Sequence, residues 1–77
     1  MAEEQSGRAR RVRRRERARE HPLRVTLLDL LRDDELAAAE LRSRLPGEPP
    51  LSMVGYHLRV LQEAEMIGVV GGLYRLV

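Results

Sequence analysis

Apolar residues along this chain fall first at helical spacing and then, near the C-terminus, at strand spacing. From Pro22 to Arg32, Leu23, Leu27, Leu30 and Leu31 recur at i, i+4, i+7 and i+8, which predicts a helix with one apolar face. Val25 and Leu28 lie beside that stripe and either widen the core face or offer a patch to a second subunit. Asp33, Asp34 and Glu35 read as a connector, although the helix-forming run Ala37 to Ala39 blurs its end. A second helix, about Ala38 to Leu45, turns Ala38, Leu41 and Leu45 inward, and Pro46, Gly47, Pro49 and Pro50 stop it. The third helix, about Ser52 to Ala64, takes Ser52 as its N-cap. It points Val54, Leu58 and Leu61 at the core, with Met53 and Leu51 as further candidates, and leaves Gly55, Tyr56, Arg59 and Gln62 on other faces. Ile67 to Val70 and Leu73 to Val77 then read as strands joined by Gly71-Gly72, a pair able to supply positive φ at both centres of a type I′ turn. Tyr74 and Leu76 share one face of the second strand, and Leu73, Arg75 and Val77 the other.

Ahead of these elements the pattern is poor. Met1 to Gly7 is polar and expected to be disordered. Arg8 to Glu20 contains good helix formers but only Ala9, Val12 and Ala18 for burial, so a helix here frays without a partner. Pro22 suits the first position of a helix and disfavours helical geometry at His21. The expected division is a flexible arginine-rich arm over residues 1–20 and a folded domain over 21–77.

Charge sharpens that division. Every basic residue is arginine, and eight of the fourteen precede His21 against four glutamates, a balance of +4 within a chain of net +2. The remainder has six arginines against eight carboxylates, a balance of −2. A basic tail on a slightly acidic body is the footprint of a segment that meets phosphate, although a solubilising arm gives the same composition.

Length and residue types exclude much else. At 77 residues there is room for one small domain with marginal burial. With no cysteine, no disulfide or thiolate metal site can staple it. No apolar run approaches the roughly 18 residues of a membrane span, and the N-terminus lacks a secretory signal, so a soluble cytoplasmic protein without membrane contact is expected. No nucleophile, base and orienting group stand at recognisable spacing and no glycine-rich phosphate loop precedes a helix, so neither an enzyme nor a cofactor is expected. His57 and His21 sit in no ligand motif; His57 reads as a partly buried structural residue and no metal is expected.

The run Tyr56-His57-Leu58-Arg59-Val60-Leu61-Gln62-Glu63-Ala64 resembles the last helix of the winged helix-turn-helix domain in ArsR-type bacterial transcription regulators, and the resemblance extends from about His21 to Val77. It implies a mainly α (α+β) fold, three helices plus a C-terminal β-hairpin wing, and a function in binding double-stranded DNA. It also implies that Ser52, Met53, Gly55 and Tyr56 approach the major groove. Arg59 can reach phosphate or the acceptor pair of a guanine, and Arg75 is the one cation of the wing. Arg10, Arg11, Arg13, Arg14 and Arg15 of the arm would add phosphate or minor-groove contacts. For single residues the alternatives stay open: Ser52 as a cap, Tyr56 lying over a neighbouring helix, Arg59 pairing with Glu63.

Two departures from the family pattern matter. Where the family commonly places Ala-Gly-Leu-Val after the recognition helix, this chain has Ala64-Glu65-Met66-Ile67, so Glu65 must accept a left-handed backbone or the helix must end differently. The further C-terminal helix that usually builds the dimer has no counterpart after the wing. A homodimer or another protein partner would then use the arm, the Val25/Leu28 side of the first helix, or the apolar residues of the wing. The competing functional readings are a protein-interaction module on the same fold and RNA binding by the arginine-rich tail.

Overall fold

Why the chain folds as it does is best seen from α4 (Leu51–Glu63), the element against which the others pack. The computed structural model describes residues 2–77, with side chains from Gly7 onward, in the order α1 (Ala2–Ala18), α2 (Pro22–Leu30), β1 (Leu36–Ala37), α3 (Ala38–Arg44), α4, β2 (Ile67–Val70) and β3 (Leu73–Leu76). Val54, Leu58 and Leu61 of α4 lie at 0% exposure beside Leu27 of α2 and Leu41 of α3, forming the centre of the core. Spacings of three and four residues put these side chains on one face, as expected of a helix half-sunk in a small domain.

The fold is mainly α with a small sheet, and it has four helices where three were expected. The additional one is α1. Of the segment expected to be disordered, Met1 lies outside the described residues and Ala2 to Gly7 belong to this helix. The partner that the arm lacked on paper is the end of α4. Ala18 is 1% exposed and joins the core, Arg14 Nη1 donates to the carbonyl of Glu63 at 3.1 Å, and Arg15 Nε donates to that of Ala64 at 3.3 Å. Those carbonyls face no further helical turn, and cations there also meet the negative end of the helix dipole.

A second difference is in the sheet. The expected hairpin forms, with Ile67 opposite Leu76 and Val70 opposite Leu73, and Gly71 and Gly72 take φ of 58° and 80°, as a type I′ turn requires. β1 then adds to the outer side of β3, Leu36 opposite Tyr74 and Ala37 opposite Leu73, for a strand order β1-β3-β2. Two residues running into an alanine-rich helix carry no alternation, so the strand is invisible by period. Ala37 also holds the N-cap position of α3, where its backbone N–H donates to Glu40 Oε1 at 3.4 Å.

The end of α4 resolves the Glu65 question. The Glu65 N–H donates to the Gln62 carbonyl at 2.9 Å and the Met66 N–H to the Leu61 carbonyl at 3.0 Å, the paired bonds of a Schellman ending. Glu65 takes the left-handed position at φ 59°, which costs about 1 kcal/mol relative to glycine.

Candidate nucleic-acid interface

The α3–α4 connection is fixed by a residue that the sequence pattern did not single out. Arg42 donates through Nε to the Pro49 carbonyl at 2.8 Å and through Nη2 to that of Glu48 at 3.4 Å, while Nη1 lies 3.7 Å from Glu48 Oε2. Gly47 and Glu48 both have positive φ there, 75° and 40°. One guanidinium thus holds a turn that has few backbone bonds of its own and sets how α4 leaves α3. The only sequence signal was an arginine one turn ahead of Pro-Gly-Glu-Pro-Pro.

Beyond the turn, α4 buries one side and presents the other. Leu51, Met53 and Tyr56 are 51%, 46% and 60% exposed, and Ser52, Gly55 and Arg59 are exposed with them. Two expectations are corrected. Ser52 does not cap the helix: α4 begins one residue earlier, Pro50 holds the N-cap position, and the serine sits in the first turn. Leu51 and Met53 do not join the core: they stay 51% and 46% exposed. Arg59 makes no ion pair with Glu63 or with any other residue among those described. Gly55 is informative in a different way. It lies in the helix, exposed, and a Cβ added to it would meet nothing within 4 Å. Nothing inside the molecule requires glycine there, although glycine weakens a helix by about 1 kcal/mol against alanine.

The other sequence-predicted cations differ in their surroundings, and Arg14 belongs to two of the arrangements. Arg14 and Arg15 are engaged with the end of α4, as described above, and Arg75 lies 3.7 Å from Glu35 in an exposed ion pair. Arg10 and Arg11 are exposed. Arg10, Arg13, Arg14 and Arg17 line one face of α1 at i, i+3, i+4 and i+7, a stripe of guanidinium groups around a shallow depression. Arg13 Nε also donates to the Ala9 carbonyl at 3.3 Å, which steadies it along the helix. The wing tip carries Val69, Val70 and Leu73, each more than a third exposed, and no cation.

Behind the exposed face of α4 sits His57, 6% exposed, with its ring centroid 4.4 Å from that of His21. His21 is the N-cap of α2, its Nδ1 accepting from the Leu23 N–H at 3.2 Å. His57 Nδ1 has no hydrogen-bond partner among the described residues. Burial, followed by the neighbouring His21 and Arg24, pulls the His57 pKa below the ordinary histidine value of 6.5. The unfolded chain therefore takes up this proton at a higher pH than the folded one. Stability from His57 is complete above about 6.5 and is lost as the pH falls through the folded value. Urea unfolding at pH 7.5 and pH 5 should show the loss at the lower pH, and His57→Gln should flatten that dependence. An unchanged profile in the variant would assign the pH dependence to other groups. No cluster of three or more metal-ligating side chains occurs among the described residues, and no helix among them is long and apolar enough to cross a membrane.

A family profile described as "Helix-turn-helix domain" matches residues 20–70, the stretch from two residues ahead of α2 to the end of β2. No curated protein and no solved structure shows a significant match to the chain.

Proposed function

The chain belongs to the helix-turn-helix domain family, and from that premise we propose that it is a sequence-specific regulator of transcription, ArsR-like in its reading helix, that binds double-stranded DNA in the cytoplasm. In this reading the exposed side of α4 enters the major groove, with Ser52, Met53, Gly55, Tyr56 and Arg59 nearest the bases, while Arg75 and the arginines of α1 meet phosphates. It assigns the chain no catalytic step, cofactor or metal.

The observation that carries the proposal is Gly55. An exposed glycine in a helix, with empty space where its Cβ would lie, costs stability and returns nothing to the fold. It allows the close approach of something external, and it stands between Ser52, Tyr56 and Arg59, whose polar groups are exposed and can pair with base edges or phosphates. One feature favours the second reading, a protein-interaction surface. Leu51, Met53 and Tyr56 make this face largely apolar, with Arg59 as its single cation.

Fluorescence anisotropy with the full chain, a mixed-sequence duplex and a single-stranded RNA, at several salt concentrations, separates the readings. Duplex binding that weakens with salt is expected. Arg59→Ala and Tyr56→Ala should each weaken it by about 1–3 kcal/mol while the domain stays folded. Gly55→Ala should stabilise the fold by roughly 0.5–1 kcal/mol and still weaken binding. If all three variants keep full affinity, α4 is not the reader. If the intact chain ignores duplex even at low salt, the protein-interaction reading takes its place, and preference for the RNA moves the function to α1.

A further inference from the structure

A second surface, away from the exposed face of α4, has the features of a small-molecule site. The end of α1, the outer side of α2, the turn after α4 and the end of β3 enclose a cleft of about 470 Å³. That lies within the range of roughly 300–1,000 Å³ for small-ligand sites. Its apolar part comes from Val25, Leu28, Met66 and Leu76, of which Val25 and Leu76 remain 41% and 37% exposed. Its polar edge holds Arg15, Arg19 and Arg32 beside Asp29 and Glu65, and Val77 lies at its rim.

We propose that this cleft binds a small organic anion, an apolar body with one carboxylate or similar group. The apolar body covers the exposed parts of Val25 and Leu76, and the anionic group takes guanidinium donors that the fold leaves available. Arg15 uses only Nε on the Ala64 carbonyl, so its terminal nitrogens are free of that bond. The Arg19 side chain has no hydrogen bond or ion pair among the described residues. Arg32 holds Asp29 at 3.4 Å, but both side chains are more than half exposed, so that pair is weak and exchangeable. A planar guanidinium suits a carboxylate by two parallel bonds, which gives the site preference for an anion over a neutral molecule of equal shape. Because Glu65 and Met66 form the turn that ends α4, and Arg15 ties α1 to that turn, an occupant touches both sides of the junction.

The test needs only protein and ligand, so its outcome is independent of DNA binding. Backbone amide NMR of the full chain is followed during titration with 2-naphthoate and, separately, with the neutral alcohol 2-naphthalenemethanol. Saturable shifts are expected at Val25, Leu28, Arg32 and Met66, with the carboxylate binding at least tenfold more tightly than the alcohol. Arg19→Gln should weaken the carboxylate several-fold, and Val25→Glu, at a position 41% exposed, should abolish binding with the spectrum still dispersed. Equal affinity for the two probes, shifts centred on the Arg10 to Arg17 stripe, or no saturation at millimolar ligand would overturn the proposal. So would a doubled hydrodynamic mass in the free protein that Val25→Glu returns to monomer, since a second copy would then fill the cleft.

Discussion

Leu58→Ala should lower the stability of the domain by about 2–5 kcal/mol, the cost of removing buried methyl groups and leaving part of their volume empty. Leu58 is 0% exposed, surrounded by a core that has no phenylalanine or tryptophan to repack into the gap. Small domains hold only on the order of 5–10 kcal/mol in total, so the loss is a large fraction of what keeps the chain folded. Urea or thermal unfolding measures this directly, and a midpoint close to that of the parent would show that α4 is not the centre of the core. The adjoining position separates structure from recognition. Arg59 is exposed and unpaired among the described residues, so its truncation should leave the stability within about 0.5 kcal/mol of the parent.

The second large effect is expected from α1. Replacing Arg10, Arg13 and Arg17 together by glutamine removes three of the four guanidinium groups on one face and spares Arg14, which holds the end of α4. Each phosphate contact contributes about 0.9 to the slope of log affinity against log salt, so the slope should fall by about 2.7. Counted from 1 M salt, where such contacts contribute little, the same change corresponds at 50 mM to a loss on the order of 10³-fold in duplex affinity. The measurement is anisotropy across a salt series. An unchanged slope would mean that the stripe does not meet DNA and that its charge serves another purpose.

Much of this architecture was legible in the sequence. Repetition of Leu23, Leu27 and Leu31, of Leu41 and Leu45, and of Val54, Leu58 and Leu61 located three helices and their buried faces, because burial of one face imposes the helical period on the residue types. Gly71-Gly72 located the wing because few other residue pairs tolerate two positive φ angles. What escaped depends on partners distant in sequence. Ala18 stands out as a burial candidate, but its partner at the end of α4 does not; β1 is too short to show a period, and the hydrogen bonds of Arg42 go to carbonyls that every residue possesses. Serine's preference for the N-cap points to Ser52, yet Pro50, with ψ 144°, holds that position two residues earlier. The exposed positions of α4 were identifiable by subtraction from its core face. The special standing of Gly55 among them needed the surrounding space to be seen.

The attachment of α1 has a consequence for exchange on longer timescales. Among the described residues it rests on one buried alanine and two hydrogen bonds, one exposed and one partly buried, so releasing it costs roughly 2–4 kcal/mol, well below unfolding of the whole core. The helix is thus a separate opening unit: its amides should exchange with solvent deuterium long before those around Leu27, Leu41 and Leu61, without any loss of the central fold. In each such opening the carbonyls of Glu63 and Ala64 lose their arginine donors and the last turn of α4 is left to water. A polyanion that captures the free arginines would hold the protein in that open form.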